Sequence, residues 1–237
     1  METRINKYLS ESGYCSRREA DRLIEQKRIK INGQLAVVGS KVTEKDIISV
    51  DDKPIKKQEE FVYLAFNKPV GITSTTDQSI KGNIVDYIGY HKRIFHVGRL
   101  DKDSEGLILM TNDGDIVNQI LRTENNHDKE YVVVVNKKIT PDFITNMSKG
   151  VPILDTVTKP CVIKQTGETT FKIILTEGLN RQIRRMCDYF GYQVISLKRI
   201  RIMHIHLDVP VGTYRELTKK EIDQLFKLIK PSPSKDK

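Results

Sequence analysis

Residues 95–114 read FHVGRLDKDSEGLILMTNDG. The first half gathers Arg99, Asp101, Lys102, Asp103 and Glu105 into a short polar knot. A bare apolar run, Leu107 to Met110, follows at once. An apolar run bounded by turn residues predicts a buried strand. Asp101 is therefore expected on a loop that feeds a rigid core element, where a reactive side chain is held in register. Working outward, the chain should be a mixed α and β protein built around this strand.

Three ordinary readings of the knot compete with a catalytic one. Asp101, Asp103, Glu105 and Gly106 match positions 1, 3, 5 and 6 of an EF-hand loop, but Asn112 stands where that loop needs a bidentate Glu. Flanking strands in place of helices argue against it as well. An Asp-x-Asp metal site for phosphoryl transfer needs further carboxylates nearby, and none is convincingly spaced. A solvated turn is the commonest fate of an Asp in a charged loop. Pattern alone leaves that last reading level with a functional one.

The chain has 237 residues, enough for one large domain or for a small and a medium one. Its net charge of +9 points to an anionic partner, nucleic acid or membrane surface. No apolar run reaches spanning length and no signal-peptide core opens the chain, so a cytoplasmic protein without a membrane partner is expected. Cys15, Cys161 and Cys187 are odd in number and far apart, so reduced thiols and no structural metal are expected.

Near the start, Ile5, Tyr8 and Leu9 recur at helical spacing, and Gly13 ends that piece. Ser16 to Glu19 forms a capping box for a second helix that turns Ala20, Leu23 and Ile24 inward. Arg17, Arg18, Arg22, Lys27 and Arg28 stay outside. Asn32-Gly33 centres a hairpin over 28–36, and Ile47 to Val50 adds a strand. Residues 51–60, DDKPIKKQEE, lack periodicity and read as a linker.

From Phe61 a strand runs into a Pro-Gly turn, and the polar stretch 73–83 is expected to be a mobile loop. Lys129-Glu130-Tyr131 leads into a β-branched run that should be a central strand. Thr140-Pro141 opens a helix, and Phe171 to Leu175 alternates as a strand. Asn180 is the expected N-cap of a helix with Ile183, Met186, Cys187 and Phe190 on one face and Arg181, Arg184 and Arg185 on the other. Two more strands follow over 193–207. A second capping box, Thr218 to Glu221, opens a last helix expected to bury Ile222, Leu225, Phe226 and Ile229. Residues 231–237 read as a disordered tail.

Several blocks together carry a resemblance. GRLDKDSEGLILMTNDG resembles the catalytic signature of the RNA pseudouridine synthases, in the RsuA branch and nearest its RluF type. NKPVG, KEY and GLNRQIRRM resemble further blocks of that family, and RINKYLSESGYCSRREADRLIEQKRIKINGQ resembles the S4 RNA-binding module. The resemblance implies an α+β fold: an S4-like module over 1–50, a linker over 51–60, and a catalytic domain over 61–230 around a mixed, largely antiparallel sheet flanked by helices. It implies Asp101 as the catalytic carboxylate, Tyr131 as its active-site tyrosine, and Arg184 as the arginine paired with Asp101. Arg99 would enter the gap left by a flipped base, and Ile183 would pack on the base or in the core. Lys7, Arg17, Arg18, Arg22, Arg28, Lys68, Arg181 and Arg185 are the expected RNA-contacting cations. No cofactor and no metal are implied. The expected partner is a stem-loop of 23S ribosomal RNA, with a tyrosine tRNA anticodon second, bound by a monomer. The alternative is a non-catalytic S4-type RNA-binding or ribosome-assembly factor, which basic charge alone fits equally well.

Overall fold

The computed structural model describes residues 2–56, 60–121 and 126–229. The expected tail over 231–237 and residues 57–59 of the expected linker lie outside the described residues. The chain divides into two compact units.

The first unit runs to Val62 and takes in Tyr90–Ile94 and Asn112–Gly114. Helix Ile5–Glu11 packs on helix Arg17–Glu25, whose N-cap Ser16 accepts a hydrogen bond from Glu19 N. Ile5, Leu9, Ala20, Leu23 and Ile24 face inward onto Ile29, Ile48 and Val50. Those last three belong to a small sheet in which Ile29–Ile31 lies between Gln34–Leu35 and Ile48–Val50. Asn32 and Gly33 both adopt positive φ, 52° and 83°, which a two-residue hairpin of this hand requires. The expected linker over 51–60 is only in part a connection. Lys53–Pro54 pairs with Ile48–Val50, and Asp51 and Asp52 turn the chain with positive φ. Nor is the division a single cut near residue 60. Asn112 accepts a hydrogen bond from Val62 N and donates one to Glu60 O, so a segment far along the chain belongs to this unit.

The second unit is organised on a nine-stranded sheet. Its path runs Val162–Gln165, Thr170–Leu175, Lys129–Val135, Val194–Ile202, Glu105–Thr111, Tyr63–Lys68, Tyr214–Glu216. Only the contact of Val194–Ile202 with Glu105–Thr111 is parallel; the other pairings along the path are antiparallel. The sheet is therefore mixed and largely antiparallel. Helices Pro141–Ser148 and Gln182–Tyr189 cover a core containing Val133, Phe143, Phe171 and Met186. Helices Gly114–Leu121 and Lys219–Leu228 cover a second, with Leu107, Leu109, Ile116 and Leu225. The Thr218–Glu221 capping box forms with both of its reciprocal hydrogen bonds. Phe226, expected to be buried, is 46% exposed and meets Tyr63 edge-on, because Leu225, one position before it on the helix, takes the inward direction.

Strand Glu105–Thr111 is the predicted buried run, and its surroundings place the knot. One edge pairs throughout with Tyr63–Lys68. On the other edge the partner changes, from Val194–Ile202 beside Glu105 and Gly106 to Phe95–Val97 beside Leu109 to Thr111. The loop 98–104 leaves the sheet at that change of partner. Gly106 (φ 115°) permits it: a Cβ there would lie 2.3 Å from Arg199 O, so only glycine lets the two strands approach.

Candidate active site

Loop 98–104 carries Asp101 and is fixed by hydrogen bonds from several elements. Ser74 Oγ donates to Leu100 O (2.8 Å) and accepts from Leu100 N (3.2 Å). Gly71 N donates to Lys102 O (2.7 Å), and Ser104 N closes a turn on Asp101 O (3.0 Å). From the parallel strand, Arg199 Nε donates to Leu107 O (2.6 Å) and Nη1 to Arg99 O (3.5 Å). Ser74 thus ties the polar stretch 73–83, expected to be mobile, to the knot itself.

Lys68 does not stand where the sequence suggested. It is fully buried, its Nζ donating to Pro69 O (2.8 Å) and Ile72 O (2.9 Å). Burial pushes its pKa down to about 8, against the opposing charges of Asp103 and Asp101. It supports the turn beneath the knot and presents no charge to a surface, which corrects its expected place among the RNA-contacting cations.

Helix Gln182–Tyr189 supplies the arginines. Its N-cap is Arg181 in the left-handed region (φ 49°), and not Asn180. The Gln182 side chain stabilises the entry, accepting from Leu179 N (3.0 Å) and donating to Glu177 Oε1 (2.7 Å). Asn180 instead accepts two hydrogen bonds from Arg185. Arg184 is buried at 9% exposure, which corrects its expected place on an outer face with Arg181 and Arg185. Its Nη2 donates to Asp103 O (3.0 Å) and Ser104 Oγ (3.2 Å), and its Nη1 to Val194 O (3.3 Å).

Two carboxylates face two guanidiniums here. Arg181 holds Asp103 in a two-pronged pair, Nη1–Oδ1 3.2 Å and Nη2–Oδ2 3.1 Å. Arg184 Nη2 lies 3.4 Å from Asp103 Oδ2. Asp101 Oδ2 is more loosely held, 3.7 Å from Arg181 Nη1 and 3.9 Å from Arg184 Nε. Partial burial alone would raise the Asp103 carboxyl, but the Arg181 hydrogen bonds and the charges of Arg184 and Arg181 hold it below the ordinary carboxylate value. Asp103 is thus engaged as an anchor for arginines, while Asp101 keeps oxygen lone pairs available.

A cavity of about 730 Å³ opens over Asp101. Arg99, Asp101, Tyr131, Ile183 and Arg184 all line it, so the structure brings these together from a loop, a strand and a helix. Tyr131 sits on Lys129–Val135, directly opposite Arg199 of the neighbouring strand. Ile183 belongs both to the cavity wall and to the core beneath it. Arg17, Arg18, Arg22 and Arg28 lie on the exposed face of the first unit, where Arg22 pairs with Glu19 and Arg28 with Asp51; Lys7 is half-buried beside Glu11. Ser74, Asp103 as an arginine anchor, and Arg199 were not singled out from the sequence. A serine in a polar loop and an arginine in the run LKRIRI carry no local signal of burial.

Residues 62–189 match the family model described as RNA pseudouridylate synthase, and residues 3–48 match the S4 domain. The chain belongs to the RNA pseudouridine synthase family. It is 55% identical to the dual-specificity RNA pseudouridine synthase RluF of Salmonella typhi, over 99% of this chain and 82% of that one. Identity to the RluF of Escherichia coli K12 is 54% over the same shares. The ribosomal large subunit pseudouridine synthase B of Bacillus subtilis is 33% identical over 94% of this chain and 95% of its own. A crystal structure of a pseudouridylate synthase superposes with a TM-score of 0.70 at 28% identity, covering 94% of this chain and 99% of that one. This is a pseudouridine synthase acting on RNA, with an S4 module at its N-terminal end. No described helix is long and apolar enough to cross a membrane.

Proposed function

We propose that this synthase converts a uridine in a 23S ribosomal RNA stem-loop, with the anticodon of a tyrosine tRNA as its second substrate. It would work as a monomer in the cytoplasm. The observation that carries the catalytic part is the convergence of Asp101, Tyr131 and Arg184 on one cavity.

Pseudouridine forms when the C1′–N1 bond breaks, the base turns, and C5 takes the place of N1 at C1′. A stacked base cannot be reached, so the nucleotide must leave the helix, and Arg99, exposed at the cavity rim, fills the gap. Asp101 acts as an ionised carboxylate, either as nucleophile at C1′ or as base at C2′; both roles need a free oxygen, which its loose pairing leaves. Arg181 Nη1 and Arg184 Nε lie 3.7 and 3.9 Å from its Oδ2 and orient it toward the sugar. Tyr131 offers its ring to the uracil and its hydroxyl to a late proton transfer. Arg181 and Arg185 beside the cavity, with Arg17, Arg18, Arg22, Arg28 and Lys7 on the S4 unit, contact phosphates.

The similarity to dual-specificity RluF relatives and to a ribosomal large subunit pseudouridine synthase supports the large-subunit target over a small-subunit one, and an intact set of cavity residues favours an enzyme over a pure RNA binder. Mapping pseudouridines in total RNA from cells with and without this protein tests the substrate. Loss of one site in a 23S hairpin loop, with or without a tRNA site, is expected; loss confined to 16S RNA would overturn the target.

A further inference from the structure

Besides Lys102 on the loop, two cations on the strands line the same cavity without a role in the scheme above. Arg199 lies directly opposite Tyr131 on the adjacent antiparallel strand. Lys129 precedes Tyr131 by two residues, so strand alternation puts it on the same face. Both belong to the cavity wall. Arg199 is 3% exposed and satisfies Leu107 O and Arg99 O through Nε and Nη1, but its Nη2 is buried without a hydrogen-bond partner. Lys129 Nζ donates to His127 O (3.2 Å). Among the described residues neither cation has a carboxylate at ion-pair distance. Burial and then the Arg199 charge push Lys129 down to about 8.

A purely structural Arg199 would account for two of its donors. It would not account for the unused Nη2, buried at the wall of a cavity that a second, half-buried cation also lines. A buried charge with a donor to spare, beside a second cation partly withdrawn from water, is unfavourable unless something negative enters the cavity.

We propose that Arg199 and Lys129 receive the negative charge of the uracil while it is detached from the ribose. This rests on the assignment of uridine isomerisation to this cavity. When the C1′–N1 bond breaks, both of its electrons leave with N1 and spread onto O2 and O4. That holds whether Asp101 attacks C1′ or takes a proton from C2′. The same electrons then form the C5–C1′ bond, and the proton on C5 is lost afterwards. Fixed donors aimed at oxygens where charge develops lower the barrier to bond cleavage. Tyr131, on the same face, keeps the ring against them as it turns.

The test uses the full chain in single turnover at saturating enzyme, on a stem-loop RNA that the wild type converts. Arg199→Gln should slow cleavage of the C1′–N1 bond about a hundredfold, and Lys129→Gln about tenfold, with RNA Kd changed less than twofold. On the same RNA carrying 5-fluorouridine the losses should shrink severalfold, because fluorine itself stabilises the departing anion. A merely structural role would slow both RNAs alike. Rates within twofold of wild type, or equal losses on the two RNAs, would overturn the inference. If Arg199→Gln melts at the assay temperature, Lys129→Gln at the start of its strand decides by the same two criteria. A wild-type protein that converts no RNA would defeat the reaction assignment and this inference with it.

Discussion

Arg184 stands 3.9 Å from Asp101 through its Nε, while its terminal nitrogens are committed to Asp103 O, Ser104 Oγ and Val194 O. One guanidinium therefore both charges the neighbourhood of Asp101 and fastens the loop that carries it. Lysine cannot do both, because its single ammonium lacks the planar fork. Arg184→Lys should lower single-turnover rate about a hundredfold while RNA Kd changes much less, since the loop shifts relative to the sugar. A rate within threefold of wild type would show that positive charge alone suffices there.

Tyr131→Phe separates ring from hydroxyl. The ring is 8% exposed on a central strand, so the substitution keeps packing and stacking. Kd should hold within about threefold and turnover should fall by about 10²-fold, the usual scale of a lost acid–base group. Product analysis by mass spectrometry and by base-specific chemistry reports it. Unchanged turnover would confine Tyr131 to packing.

Lys68→Met tests the buried support. The methionine fills the space, but Pro69 O and Ile72 O lose their donor. The cost should be about 1–3 kcal/mol, the range for buried polar groups left unpaired. At roughly 2–4 °C per kcal/mol for a chain of this size, calorimetry should show a lower Tm. A Tm equal to wild type would mean the lysine's desolvation cancels its hydrogen bonds.

The last helix should confer a specific acid sensitivity. Hydrogen bonds from Arg215 hold Glu221 down to about 2 from 4.5, with burial opposing and Thr218 assisting. Its stabilising contribution is therefore complete above 4.5 and is lost as pH falls from there through about 2. Glu221→Gln should lower Tm at pH 7, and the gap to wild type should narrow steadily below pH 5. A gap independent of pH would assign the effect to helix capping alone.

Much of this was legible because it is local. Asn32-Gly33 writes its own turn, Ser16 and Thr218 their caps, and Leu107 to Met110 a strand that must be buried. The parallel contact between Glu105–Gly106 and Lys198–Arg199 was not legible, since it joins segments some ninety residues apart through a glycine that looks ordinary in the chain. Lys68 and Arg184 misled for one reason: a charged residue reads as a surface residue unless the backbone carbonyls it satisfies are seen, Pro69 O and Ile72 O of its own turn for Lys68 and Asp103 O of a remote loop for Arg184. The helix entry at Arg181 was misplaced because Gln182, and not Asn180, makes the stabilising bond. Asp101 and Tyr131 came from resemblance; spacing alone would have left both as a turn and a core residue.

The central claim is that the carboxylate of Asp101 performs the chemistry. Asp101→Asn removes the charge and keeps the shape, and the loop holds through Ser104, Gly71 and Ser74, none of which bonds the Asp101 side chain. The decisive measurement is single-turnover pseudouridine formation by purified Asp101→Asn protein on a stem-loop RNA, beside its Tm and RNA Kd. The account predicts a wild-type melt, a Kd within a few fold of wild type, and no detectable pseudouridine. Pseudouridine formed at the wild-type rate would contradict it.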